Sequence, residues 1–84
     1  MWDQASASRL GDSVRRHRLE RGLPEETLAT LAGITASELE LIEAGVVESA
    51  KGEPEPSNPR LWTLTALARA MGTTVAELLA DAEL

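Results

Sequence analysis

Two adjoining blocks of opposite charge carry most of the chemistry this chain could perform. Between Arg9 and Arg21 stand five arginines, Arg9, Arg15, Arg16, Arg18 and Arg21, against Asp12 and Glu20, a local charge of +3. From Leu23 to Ala50 there are six glutamates and no lysine or arginine, a local charge of −6. Guanidinium groups bind phosphates and carboxylates through paired donors. Paired carboxylates can act in acid–base catalysis. No nucleophile, metal-binding set or glycine-rich phosphate loop stands beside these glutamates, and a helical chain of 84 residues has little room for a deep pocket. An enzyme is therefore not expected. One histidine, His17, cannot hold a metal alone, and there is no cysteine, so no metal or other cofactor is expected. His17 falls one turn after Val14 and reads as a core-edge or surface residue rather than a proton switch.

The elements that position these groups are helices. Apolar residues make up 43% of the chain, which suits one globular domain. Trp2 and Trp62 are the only aromatics, so the core must be built from Leu, Ile, Val, Ala and Met. A first helix is predicted from about Ser8 to Arg21, with Gly22 as its stop. A second runs from Pro24 to Ala32, with Leu28, Leu31 and Ala32 on one face. A third begins at a capping box, Thr35-Ala36-Ser37-Glu38, buries Leu39 and Ile42, and ends at Gly45. Val46 to Asn58 reads as a loop, because Gly52, Pro54, Pro56 and Ser57 all favour turns. Pro59 opens a fourth helix with a stripe of Leu61, Leu64, Leu67, Ala68 and Met71. A second capping box, Thr74-Val75-Ala76-Glu77, opens a short fifth. No strand pattern is visible. The expected organisation is a flexible tail at 1–7, a domain at 8–81 with a loop insertion at 46–58, and a tail at 82–84. No apolar run is long enough to span a membrane. Met1 to Leu10 does not resemble a signal peptide, so a cytoplasmic location is expected.

The second and third helices are joined by a tight turn through Gly33 and Ile34. Ala29 is small enough for a close helix crossing, Gly33 permits positive φ, and Ile34 plugs the angle between the helices. This spacing is that of a helix-turn-helix, which lets its second helix enter a DNA major groove. The pieces, taken in order, resemble the phage-repressor (Cro/XRE-type) family. Arg21-Gly22-Leu23-Pro24-Glu25-Glu26-Thr27-Leu28-Ala29 is similar to that family's R-G-L-S-Q-E-E-L-A. Ala32-Gly33-Ile34-Thr35 is similar to A-G-V-S, and Leu39-Glu40-Leu41-Ile42-Glu43-Ala44-Gly45 to L-S-R-I-E-R-G. Asn58 to Leu61 and Leu67 to Gly72 resemble its fourth helix. The resemblance covers about Leu10 to Leu79. It implies an all-α, five-helix lambda-repressor-like DNA-binding domain with the helix-turn-helix at helices two and three. It also implies an internal ion pair between Arg18 and Glu43.

The resemblance places DNA or partner contacts at definable positions. Glu25 occupies the place of a phosphate-gripping residue. Thr35, Ala36, Ser37, Glu40, Leu41 and Ala44 occupy the outward face and ends of the reading helix, and Lys51 and Arg60 follow it. The chemistry there is poor for DNA. Paired base-edge donors come from Arg, Lys, Asn or Gln, and none lies between Leu23 and Ala50. A net charge of −6 also counts against an autonomous DNA binder. A monomer is expected to bind weakly. A homodimer would double the contacts, and Arg15, Arg16 and Arg21 could form a basic rim, although a solvated face is the commoner role for such a row. Trp62 lies beside the fourth helix's apolar stripe. It is either a partner contact, an edge of the core, or a platform for Trp2.

Two functions follow. The first is a transcription regulator that binds double-stranded operator DNA, weakly or as a dimer. The second is a protein-interaction module on the same scaffold, which binds another protein regulator through an acidic reading helix.

Overall fold

Short polar side chains and glycines set most helix boundaries. A computed structural model describes all 84 residues. In chain order the elements are α1 (Gln4–Glu20), α2 (Glu25–Ala32), α3 (Ala36–Ala44), β1 (Val46–Glu48), β2 (Pro54–Pro56), α4 (Leu61–Ala70) and α5 (Val75–Asp81). Thr35 caps α3 by accepting from the Glu38 backbone N–H at 3.0 Å. Thr74 caps α5 in the same way through Glu77. The α3 box is completed differently from expectation. Glu38 accepts from the Thr35 hydroxyl rather than from the Thr35 backbone.

The first helix begins four residues earlier than its sequence signals suggested. Asp3 accepts from the Ser6 N–H at 2.9 Å and from the Ser6 hydroxyl. These bonds favour the ionised carboxylate and hold it below its usual range. Ser6 and Ala7 are buried, and the Trp2 indole N–H donates to the Ser57 carbonyl at 2.7 Å. Gln4 to Ala7 thus belong to α1, and Trp2 is tied to the body by that bond.

The segment 46–58 is a hairpin rather than a plain loop. β1 and β2 pair antiparallel, with Val47 opposite Glu55. Ser57 donates to Gly45 and Ser49 to Glu53, so Val47 and Glu55 form the hydrogen-bonded pair between them. Pro54 and Pro56 then sit where a backbone N–H would point away from the ladder. Proline is tolerated there, and it blunts that edge against further pairing.

The core joins Leu10 and Val14 of α1 to Leu28, Ala29 and Ala32 of α2, Leu39 and Ile42 of α3, Leu64, Leu67 and Ala68 of α4, and Leu78 of α5, with Met71 closing it. Two expected core residues are outside. Leu31 is 61% exposed and Leu61 is 70% exposed. Thr63, one turn from Leu67, is buried instead, on the opposite flank of the α4 stripe from Leu61.

Helices α1 and α3 cross with almost no clearance. A Cβ on Gly11 would lie 2.5 Å from the carbonyl oxygens of Ile42 and Glu43, and one on Gly45 would lie 2.9 Å from the Ser8 backbone. At this crossing Arg18 and Glu43 form a bidentate pair, with Nε to Oε2 at 2.7 Å and a terminal nitrogen to Oε1 at 2.9 Å. Both side chains are buried. The Glu43 hydrogen bond raises the Arg18 pKa above its ordinary value against the opposing pull of burial, and the charges of Glu43 and Glu25 add to it. Removing one member of a buried pair strands the other charge. Arg18→Ala should therefore cost about 3–5 kcal/mol, and Arg18→Met with Glu43→Leu should recover most of that. Urea unfolding followed by circular dichroism checks both; a loss below about 1 kcal/mol for the single variant would mean the pair behaves as a surface contact.

Candidate nucleic-acid interface

The reading helix is presented outward by its own amphipathic pattern. Leu39, Ile42 and Glu43 face inward on α3. Ser37, Glu38, Glu40, Leu41 and Ala44 are exposed, as is the cap Thr35, while Ala36 is half-buried against the core. Gly33 ends α2 in the left-handed conformation, φ 74°, and its N–H donates to the Thr30 carbonyl. Ile34 donates from its backbone to Ala29 and packs on the core. The turn is therefore fixed at both its backbone and its side chain. Loss of positive φ at Gly33, or of the Ile34 plug, would re-aim α3.

The charges around this helix are arranged as follows. Glu25 is half-buried, and its charge acts on Arg18. It therefore belongs to the electrostatics of the α1–α3 crossing. Glu38 and Glu40 are exposed on α3 without a cationic partner; the chain's ion pairs are Arg15–Asp12, His17–Asp81, Arg18–Glu43 and Arg21–Glu20. Lys51 is exposed at the hairpin tip, and Arg60 is exposed at the N-cap of α4. Arg60 shares a groove with Glu38 and Leu41 of α3. Arg60 thus approaches the face from its border, and the face itself is acidic or apolar.

The arginines of α1 do not assemble into a rim beside α3. Arg15 pairs with Asp12 at 3.1 Å. Arg16 donates to the Asp81 carbonyl at 2.8 Å. Arg21 donates to the carbonyls of Met71 and His17. The last two tie α1 to the C-terminal end of α5 and to the end of α4. His17 belongs to the same clasp, with Nε2 2.6 Å from Asp81 Oδ2. Arginine only donates, and its terminal nitrogen lies 3.3 Å from His17 Nδ1. Nδ1 is then the acceptor and Nε2–H the donor to Asp81.

Trp62 is 58% exposed, and it borders two depressions. One is a shallow apolar concavity with Leu31, Leu61, Ala66 and Ala70, edged by Arg69. The other is the groove between α3, the hairpin and α4, where Trp2 stands as well. Sequence reasoning missed Gly11, Gln4 and the hairpin wall of that groove. Gln4 donates to the Gly45 carbonyl at 3.0 Å and helps seat the end of α3. The pattern Val46-Val47 followed by Gly52 was an available hairpin signal, but the flanking prolines masked it.

No helix is long and apolar enough to cross a membrane. No protein-family model matches the chain, and no curated protein sequence matches it. Solved structures do. The clp gene regulator ClgR from Corynebacterium glutamicum superposes with a TM-score of 0.80 at 21% identity, covering 98% of this chain and 92% of that one; at that identity the likeness is one of fold. SinR, a master regulator for biofilm formation solved in complex with DNA, superposes with a TM-score of 0.67 at 26% identity, covering 83% of this chain and 97% of that one. The restriction-modification controller protein C.AhdI from Aeromonas hydrophila is 30% identical, with a TM-score of 0.74 over 88% of this chain and 97% of its own. This identity over nearly the whole controller protein accompanies the capped helix pair, the fixed Gly33–Ile34 turn and the outward α3, and so the chain belongs to the phage-repressor-like (Cro/XRE-type) helix-turn-helix family of transcriptional regulators.

Proposed function

We propose that this chain regulates transcription by binding operator DNA through α3 as a homodimer, and that the single chain binds only weakly. The observation that carries this reading is the exposed run of Ser37, Glu40 and Leu41 on a helix whose opposite face is locked to α1 and α2. A helix held this way can lie in a major groove with its N-terminal residues toward base edges. Arg60, in the groove beside α3, and Lys51, at the hairpin tip, would contact phosphates. Ser37 can make one hydrogen bond to a base edge, and Glu40 can accept from cytosine N4–H2. The solved complex of SinR with DNA supports the same use of the fold here.

Weak binding by one chain follows from charge. Phosphate neutralisation supplies most sequence-independent affinity, and the segment from Leu23 to Arg60 carries only two cations, Lys51 and Arg60. A dimer doubles those contacts. The concavity of Leu31, Leu61, Trp62, Ala66 and Ala70 supports a self-associating surface. Three large apolar side chains are exposed there together, and such clusters mark interfaces more often than single exposed residues do. We place the protein in the cytoplasm, where operator DNA is accessible.

Two experiments test this reading. In polarisation titrations with labelled mixed-sequence duplex at low salt, affinity should fall as salt rises. Glu40→Arg should raise it by about tenfold, through removal of repulsion and gain of a phosphate or guanine donor. No binding by either protein, or weaker binding by the variant, contradicts the DNA reading. Leu61→Glu should shift the protein from dimer to monomer in light scattering and lower duplex affinity with it. A monomeric parent protein, or a variant that remains dimeric, removes this surface from the account.

A further inference from the structure

Both tryptophans, the only Phe, Tyr or Trp residues in this protein, stand at one groove. Trp2 and Trp62 both line the depression between α3, the hairpin and α4, and they are 38% and 58% exposed. The core contains no aromatic residue at all. Core packing therefore does not explain where these two rings lie. Trp2 is held by its hydrogen bond to the Ser57 carbonyl, so its ring is a fixed wall before any ligand arrives. Leu41 and Val47 add exposed apolar surface to the same groove. Its volume is about 800 Å³, enough for several side chains of a bound segment.

The charge of the groove is a second, independent observation. Glu38 and Glu55 line it, and Glu40, Glu48 and Glu53 are exposed on the same two elements or the turn between the strands. None of these five takes part in an ion pair. Arg60 is the one cation in the groove. A lysine or arginine laid across an indole face gains a cation–π contact, and its alkyl stem covers apolar surface. Its head group would then reach a carboxylate at the rim. An acidic rim around an apolar, tryptophan-walled floor is complementary to one chemistry in particular.

We propose that this groove docks a segment of a partner protein in which basic residues flank leucine-like apolar anchors. The segment's anchors enter between Trp2, Trp62 and Leu41, and its basic residues meet Glu38 and Glu55. The proposal does not rest on the operator reading, because it needs no DNA and uses the acidity that DNA must overcome; it shares Leu41 and Arg60 with that reading, so duplex and segment would compete.

The tryptophans are also the reporters. There is no tyrosine and no third tryptophan, so intrinsic emission reports this groove and, through Trp62, the concavity beside it; a fixed protein concentration separates peptide binding from self-association. The full chain is titrated with a synthetic amphipathic peptide of leucine and lysine. Two control peptides carry glutamate in place of lysine, or serine in place of leucine. The leucine–lysine peptide should shift the emission to a saturating limit, and both controls should bind at least about tenfold more weakly. Glu55→Lys, on the exposed hairpin, should weaken the leucine–lysine peptide by roughly fivefold. Arg60→Glu should tighten it. Circular dichroism checks that both variants fold. Three results would overturn the proposal. The first is an unmoved emission. The second is equal binding of the lysine and glutamate peptides, which would mean unspecific apolar adsorption. The third is binding of the leucine–lysine peptide that Glu55→Lys leaves unchanged, which would place it outside the groove.

Discussion

The direction of α3 is fixed by one buried crossing. Gly11 lets α1 touch the last carbonyls of α3, and Arg18 then reaches across to Glu43 with two hydrogen bonds. A third bond, from Arg18 to the Leu23 carbonyl at 3.0 Å, holds the link into α2. One guanidinium thereby connects the three helices that define the reading face. A glycine inside a helix costs about 1 kcal/mol relative to alanine, and a buried ion pair contributes more to orientation than to net stability. Both choices make sense if the angle of α3 matters more than the depth of the energy minimum. The end of α3 is secured from outside as well, by Gln4 and by the Gly45–Ser57 ladder bond.

With that angle fixed, the outer surface can vary in chemistry without disturbing the fold. Arg16, Arg18 and Arg21 all satisfy carbonyls or a carboxylate of the same chain. The surface around α3 is left acidic, with tryptophan and leucine between the carboxylates. A helix-turn-helix protein that reads DNA from such a face depends on doubled border contacts. The same acidity is what the proposed protein segment would engage. The two proposed uses lie on adjoining parts of one surface, α3 being common to both.

Much of this was legible in the residues. Thr35 and Thr74 marked helix starts because a threonine oxygen three residues before a glutamate satisfies an orphan N–H. Gly33 and Gly45 marked ends because both need positive φ. The outward positions Ser37, Glu40 and Leu41 followed from the periodicity of α3. Periodicity alone misplaced Leu31 and Leu61. A leucine stripe names a face but cannot say how far the neighbouring helix extends along it, and both residues lie beyond that cover. The start of α1 was missed because its first turn has few apolar residues; Asp3 capping and the Trp2–Ser57 bond stabilise it instead. Gly11 gave no sign of its role, since a close approach between distant segments has no local signature. The hairpin was hidden by two prolines that are compatible only with one register.

The central claim is that the N-terminal half of α3 is the surface that meets DNA. Amide chemical-shift mapping on the isotope-labelled protein, with increasing mixed-sequence duplex at low salt, tests it residue by residue. The account predicts that the largest changes fall between Thr35 and Leu41 and at Arg60, with α1 from Arg15 to Arg21 unmoved. Changes confined to α1, or none at a large excess of duplex, would contradict it.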